Sequence, residues 1–302
     1  MESEAPRKPR RRWLQFGLRT LLLATTVFGV WLGIHMQRVR RQREAVRAIR
    51  DFGGCVHYDF QAAPKPTGWQ FDSRIEPPIP KWLLSRLGVD FFYNVVEVNL
   101  VYDFDSGAAE ANPNVTDAAL PHLESFPKLR ALYLKETQAT DDGLRLVGKL
   151  KGLTDLYMWD AANVTDEGIF HLSGLSNLKN IHVSNSQIGD ESLRVLGSLP
   201  LVQSMSLQGN HFTDQGLAHL QDCATLHELW IGMGPTTITD AGMSFLRQLT
   251  NLEGLDLSNT RVTGDGLAQL AGLTKLKALY LSGTNADSSA LRKALPKCSI
   301  NQ

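Results

Sequence analysis

The stretch Leu129-Arg-Ala-Leu132-Tyr-Leu134, followed by Thr140-Asp141-Asp142-Gly143-Leu144, decides the fold. It joins an apolar triplet to a polar turn, then a Thr-Asp pair, then Gly-Leu. Further copies run Leu153…Thr165-Asp166-Glu-Gly168-Ile169, Val202…Thr213-Asp214-Gln-Gly216-Leu217 and Leu252…Thr263-Gly264-Asp-Gly266-Leu267. The Thr position or its relic recurs at Thr116, Thr140, Thr165, Gly189, Thr213, Thr239, Thr263 and Asp287, with steps of 24, 25, 24, 24, 26, 24 and 24 residues. A phase held that long marks a stacked solenoid rather than a closed globule. The two longer steps arise in Asp160-Ala-Ala-Asn163 and Gly232-Met-Gly-Pro235. Both lie in the turn after the triplet, where extra length is tolerated.

Each unit has a simple physical reading. Leu-x-x-Leu-x-Leu predicts a short strand with alternate residues buried. A small polar residue follows, such as Thr137, Ser186, Asn210, Thr260 or Thr284, placed to satisfy turn backbone. Thr-Asp then opens a helix: threonine caps free amides, and aspartate suits the positive end of the helix dipole. The helix leucines point back at the strand. No single unit can bury them, so neighbours must stack. Cys223 and Cys298 stand in the slot held elsewhere by Leu175, Leu249 and Leu273, which predicts core positions rather than reactive thiols. Three cysteines do not suggest a disulfide framework, and Cys55 falls outside this phase.

The pattern resembles the leucine-rich repeat family, in the subtype with Thr-Asp-x-Gly-Leu in its second half. That subtype is similar to the cysteine-containing repeats of eukaryotic adaptors and to many bacterial repeat proteins. The resemblance implies an α/β fold: a right-handed leucine-rich repeat solenoid of about eight repeats of about 24 residues over 95–302. It implies a parallel sheet on the concave face and helices on the convex face. It also implies a protein-binding role and no chemistry of its own.

Overall neutrality hides a division: residues 1–94 carry 16 Lys/Arg against 8 Asp/Glu, while residues 95–302 carry 15 against 23. An acidic solenoid argues against nucleic acid as a partner, because phosphate contacts need Lys and Arg. The basic excess surrounds one apolar run. Arg7, Lys8, Arg10, Arg11 and Arg12 form a basic tail over 1–12; Arg38, Arg40, Arg41 and Arg43 follow the run. Residues 13–37 are long enough to cross a bilayer, for which about 20 residues suffice. Trp13 and Trp31 suit the two interfaces, and Arg19 lies near one end where its side chain can reach headgroups. A single-pass anchor fits better than a cleaved signal, since no small-x-small site precedes a plausible mature start. The stretch Arg19-Thr-Leu-Leu-Leu with Arg41-Gln-Arg-Glu-Ala-Val-Arg resembles the start of bacterial membrane-anchored repeat proteins. That resemblance implies an inside N-terminus and an extracytoplasmic repeat domain; basic residues on both flanks do not set the orientation.

Residues 38–94 are expected to form a linker helix and a cap for the solenoid's open apolar end. Arg38–Asp51 reads as a helix stopped by Gly53-Gly54, Val56–Phe60 as a strand, residues 61–80 as a Pro-rich loop, and Pro80–Leu87 as a short helix.

No phosphate-binding loop, zinc-protease helix, nucleophile elbow or paired Cys-x-x-Cys is present, so neither an enzyme nor a cofactor is expected. His122, His171 and His219 share a phase but sit two repeats apart, roughly 10 Å, too far for one metal. Asp103, Asp105 and Glu110, in an insertion at 101–113, form only a partial calcium pattern and read as a solvated acidic loop. Asn114-Val-Thr116 and Asn163-Val-Thr165 match a glycosylation pattern, but both fall on the repeat's own threonine.

Function therefore points to the concave face. One outward column reads Asn99, Tyr133, Tyr157, His182, Ser206, Trp230, Asp256 and Tyr280; the next reads Lys135, Trp159, Ser184, Gln208, Gly232, Ser258 and Ser282. The expected ligand-binding set is Tyr133, Tyr157, Trp159, His182, Trp230, Asp256 and Tyr280, because large amphipathic rings are enriched where proteins anchor partners. Tyr133 and Tyr157 could equally cover the sheet by stacking. Trp230 has Ser206 and Asp256 beside it and no ring in the adjoining coils. The expected function is a membrane-anchored module holding a protein or envelope ligand. The alternatives are a non-selective envelope scaffold and, from repeat similarity, a ubiquitin-ligase adaptor; the chain has a membrane span where such adaptors carry their docking module.

Overall fold

The computed structural model describes residues 17–65, 68–100, 116–134 and 137–302. The basic tail, residues 13–16 of the expected span, the acidic insertion with Asp103, Asp105 and Glu110, Asn114 and Lys135 lie outside the described residues.

A 34-residue helix α1 (Leu18–Asp51) opens the described chain. Strand β1 (Cys55–Tyr58), a hairpin of β2 (Ala62–Lys65) and β3 (Gly68–Phe71), and helix α2 (Lys81–Leu87) follow. The hairpin corrects the loop expected over 61–80. Proline-rich composition argued for loop, but each strand of a two-stranded hairpin is an edge, where Pro64 is tolerated. Eight short strands then recur: β4 (Val95–Asn99), β5 (Ala131–Tyr133), β6 (Asp155–Met158), β7 (Asn180–Val183), β8 (Ser204–Ser206), β9 (Glu228–Trp230), β10 (Gly254–Asp256) and β11 (Ala278–Tyr280). A last strand, β12 (Ser299–Asn301), adds to β11. All nine run parallel in sequence order, and β1 closes the other edge antiparallel to β4. Between strands stand the helices α3 (Asp141–Val147), α4 (Asp166–Phe170), α5 (Asp190–Gly197), α6 (Asp214–Ala218), α7 (Asp240–Leu246), α8 (Gly264–Ala268) and α9 (Ser289–Ala294). The molecule is the coiled solenoid that the repeat implied.

Register explains the core. Leu132, Leu156, Ile181, Met205, Leu229, Leu255 and Leu279 pair strand to strand and are all buried. Helix residues at one phase, Leu144, Ile169, Leu193, Leu217, Met243 and Leu267, close the spine from the other side. Burying each such side chain stabilises by about 1.5–3 kcal/mol. Cys223 is buried in its leucine slot, while Cys298, in the last coil, is half-buried, and no disulfide joins the described cysteines.

The Thr-Asp pair does more than open a helix. Thr116, Thr165, Thr213, Thr239 and Thr263 each accept a hydrogen bond from the amide two residues on, as a cap should. Their aspartates reach into the next coil. Asp117 accepts from the amide and hydroxyl of Thr140 at 3.0 and 2.6 Å. The same rung joins Asp141 to Thr165, Asp190 to Thr213, Asp214 to Thr239 and Asp240 to Thr263. This ladder explains the glycine of Thr-Asp-x-Gly: a Cβ at Gly143 would overlap the Asp117 carboxylate, and Gly266 stands likewise against Asp240.

One coil departs and compensates. Gly189 replaces threonine, so its amide alone can reach Asp166, at 2.8 Å. Ser192 replaces the glycine three residues later, and its hydroxyl donates to the same carboxylate oxygen at 2.5 Å. The missing hydroxyl has moved one helical turn.

The N-terminal edge is covered by α1, which runs unbroken from exposed to buried surroundings. Leu21, Leu22, Leu23, Val27, Phe28, Val30, Trp31 and Ile34 are exposed, whereas Val39, Ala45, Val46 and Ile49 are buried. The last three belong to the same apolar cluster as Leu100 and Leu120 of the first coil. Contact with the body begins at His35, which hydrogen-bonds the Phe91 carbonyl at 2.9 Å and packs edge-on against that ring. Gln42 then donates to the buried carboxylate of Asp90 and to the Tyr93 carbonyl.

Candidate functional site

The strands turn their alternate residues toward the outer sheet face, the side the repeat pattern expects to be concave. Register places Tyr133 beside Tyr157, Tyr157 beside His182, His182 beside Ser206, and Ser206 beside Trp230. Asp256 lies between Trp230 and Tyr280.

The rings form two groups. Tyr133 and Tyr157 stack with centroids 4.6 Å apart and planes 8° apart. Trp159 lies over both, at 6.1 and 5.4 Å, and meets His182 at 4.8 Å. The second group is Trp230 with Tyr280, 5.3 Å apart and tilted 47°. Trp230 therefore does have a ring partner, two coils away, which adjacent-coil reading missed. The reach is possible because the intervening coil is low. Gly254 offers no side chain, and an added Cβ there would sit 3.4 Å from Trp230 Cζ2. Asp256 is folded down and buried, 2% exposed: it accepts from the Ser258 amide at 2.8 Å and from Gln208 Nε2 at 2.6 Å. Its carboxylate braces its neighbours, while Tyr133, Tyr157, Trp159, His182 and Trp230 are half-buried and Tyr280 is exposed.

Because Trp230 leans toward Tyr280, a cleft of about 320 Å³ opens between it and the first ring group. Tyr157 and His182 form one wall, Trp230 the other, and Asn180, Ser204, Ser206 and Glu228 also line it. Ser204 Oγ donates to Glu228 Oε2 at 2.9 Å.

Asn180, Ser204 and Glu228 belong to a third outward column, Glu97, Ala131, Asp155, Asn180, Ser204, Glu228, Gly254 and Ala278, which the sequence reading did not single out. Strict period-2 alternation would have found it. Its small and polar residues look like loop in the sequence. Two of its carboxyls are buried. Asp155 accepts from Asn180 Nδ2 at 2.5 Å, and burial raises its carboxyl above the ordinary range. Glu97 pairs through Oε1 with His57 Nδ1 at 3.1 Å, while Oε2 is buried with no partner among the described residues; burial outweighs the histidine and raises this carboxyl too.

The same burial acts on the rings. His182 is pushed down to about 4 by desolvation, against a small opposing pull from Asp160, so its imidazole is neutral at physiological pH. The Tyr157 hydroxyl is pushed up to about 12, by burial first and then by the negative charges of Asp155, Glu97 and Glu228. Among the described residues, no three His, Cys, Asp or Glu side chains stand close enough to hold a metal ion. His122 and His171 are half-buried and His219 is exposed, on separate coils.

No protein-family model and no curated relative matches the chain. Solved structures with similar coils include internalin C2 of Listeria monocytogenes, at 22% identity and a TM-score of 0.47, covering 62% of this chain and 81% of that one. A second internalin from Listeria monocytogenes, inlF, gives 19% identity and a TM-score of 0.34, covering 60% and 69%. The plant peptide hormone receptor RGFR1, solved in complex with RGF2, gives 22% identity and a TM-score of 0.39, covering 55% of this chain and 26% of that one. With TM-scores below 0.5, these likenesses add nothing to the coil geometry, on which the fold assignment rests.

Proposed function

We propose that this leucine-rich repeat solenoid is a membrane-anchored binding module that holds a protein or envelope ligand on its concave sheet face. The two ring groups carry the reading. Half-exposed indoles and phenols flank a polar cleft on a face whose core packing does not need them, the composition found at interface hot spots. Asp256 drops to a bracing role, and the candidate contact set becomes Tyr133, Tyr157, Trp159, His182, Trp230 and Tyr280.

The exposed half of α1 supports the anchor. Leu18–Ile34 spans about 25 Å at 1.5 Å per residue, close to the bilayer's apolar thickness of about 30 Å. The arrangement we infer has the basic tail inside and the solenoid outside, held close to the surface because anchor and cap share one helix.

The test is photocrosslinking of the full chain in membranes, followed by identification of captured proteins, with Trp159→Ala and Trp230→Ala as variants. Loss of one selective partner by about 30-fold or more is expected, matching a hot-spot cost of at least about 2 kcal/mol. Thermal stability should shift by only a few degrees. Capture and stability both unchanged would end this reading, and equal capture of many unrelated proteins would favour the non-selective scaffold.

A further inference from the structure

The cleft has a shape and a charge that single out one chemical group. Along the central column His182, Ser206 and Trp230 follow one another, ring, small hydroxyl, ring. Strands lie about 4.8 Å apart, so the two rings stand on backbones roughly 9.6 Å apart with a short side chain between them. A planar group can enter that slot and lie on the Trp230 face within the ~6 Å over which a cation is attracted to an aromatic ring, with His182 as the opposite wall. Glu228 lines the same cleft, with one oxygen engaged by Ser204 and no Lys or Arg among the described lining residues.

We propose that the slot between His182 and Trp230 receives a guanidinium group, so that the partner presents an arginine side chain to the sheet face. This deepens the binding-module reading and rests on it. Arginine fits better than lysine because its head is flat, stacks on rings and meets a carboxylate through two parallel N–H donors. The slot has matching parts in its lining: the Trp230 and His182 rings, the Glu228 carboxylate and the hydroxyls of Ser204 and Ser206. His182 does not oppose the cation, since burial keeps its imidazole neutral at physiological pH. Three carboxylates, Asp155, Glu97 and Glu228, act on Tyr157, against the single cation Lys179 acting on Asp155, so negative charge outweighs positive around this part of the sheet. An acidic side chain would meet the like charge of Glu228.

The probe is a set of acetylated, amidated pentapeptides, Ala-Ala-X-Ala-Ala, with X as arginine, citrulline, norleucine or glutamate. Citrulline keeps the shape of arginine and removes its charge. Binding to the full chain in detergent is read by tryptophan emission and by calorimetry. The arginine peptide is expected to bind at least tenfold tighter than the citrulline peptide. Glu228→Gln should close that gap, Trp230→Ala should abolish binding, and Phe170→Ser on the helix side should change neither. Equal affinity for arginine and citrulline overturns the proposal, as does a gap that survives in Glu228→Gln or the absence of binding by every peptide. If norleucine or glutamate binds best and Trp230→Ala still abolishes it, the guanidinium assignment falls while the sheet face remains a binding surface.

Discussion

The Thr-Asp edge and the sheet face are built from the same coils, yet one repeats its chemistry and the other does not. Along the edge, five aspartates use the same two bonds to the next threonine, and the sixth, Asp166, reaches Gly189 and Ser192 instead. Along the face, the central column runs Asn99, Tyr133, Tyr157, His182, Ser206, Trp230, Asp256, Tyr280. Stacking asks each coil the same question, so the answer recurs. Recognition, the role proposed for the face, asks a different question at each position. The edge should therefore respond to substitution mainly in stability, and the face mainly in binding.

The largest effect that separates them is expected at Asp214. Its carboxylate accepts from the amide and hydroxyl of Thr239 at 2.8 and 2.6 Å, bridging two coils. Asp214→Ala removes both bonds and leaves donors near the core short of a partner, a cost of about 2–3 kcal/mol. Urea denaturation of the full chain should show the midpoint drop, with peptide or partner binding retained in the folded fraction. An unchanged midpoint would mean that the ladder does not hold the coils together.

A smaller effect tests whether the departing coil is truly compensated. Ser192→Gly alone removes the hydroxyl that reaches Asp166, a loss of about 1 kcal/mol. Gly189→Thr alone sets a second hydroxyl against a carboxylate that Ser192 already occupies, and should gain nothing. Together the two changes rebuild the ordinary rung, and stability should return to within about 0.5 kcal/mol of the parent. Simple additivity of the two single changes would break the argument that one hydroxyl serves for the other.

These two tests also mark how far the sequence can be read. The strands, the helices and the buried leucines were legible because one physical requirement recurs with a fixed period. The Thr-Asp pair was legible as a cap, but its bond to the next coil was not. Nothing in a single repeat says that aspartate at one copy lies beside threonine of the next, although the glycine three residues after Thr140, Thr165, Thr213, Thr239 and Thr263 was the visible trace of that close approach. On the face, ring identity was legible while ring contact was not. Trp230 meets Tyr280 only because Gly254 and the buried Asp256 leave the coil between them low. The hairpin over 62–71 was hidden by its composition, and the column holding Asp155 and Glu228 by its small, polar members.

The smallest expected effect lies on the face itself and is a matter of pH. His182 is pushed from its ordinary value near 6.5 down to about 4 by burial. Above pH 6.5 it is neutral whether the chain is folded or unfolded, so it contributes nothing to pH dependence. Between 6.5 and 4 the unfolded chain takes up a proton that the folded chain refuses, and stability falls as pH falls. Below about 4 both forms are protonated and the loss levels off. Solvent at the exposed edge of the ring moderates the penalty, which should reach about 1 kcal/mol. Replacing His182 with Asn should flatten the stability profile between pH 6.5 and 4 and leave it alone above 7. Parallel profiles for parent and variant across that window would show that the imidazole is solvated well enough to ionise freely. The slot beside Trp230 would then carry a positive wall in mild acid, and an arginine guest should be released there, which the peptide titration repeated at pH 5 would detect.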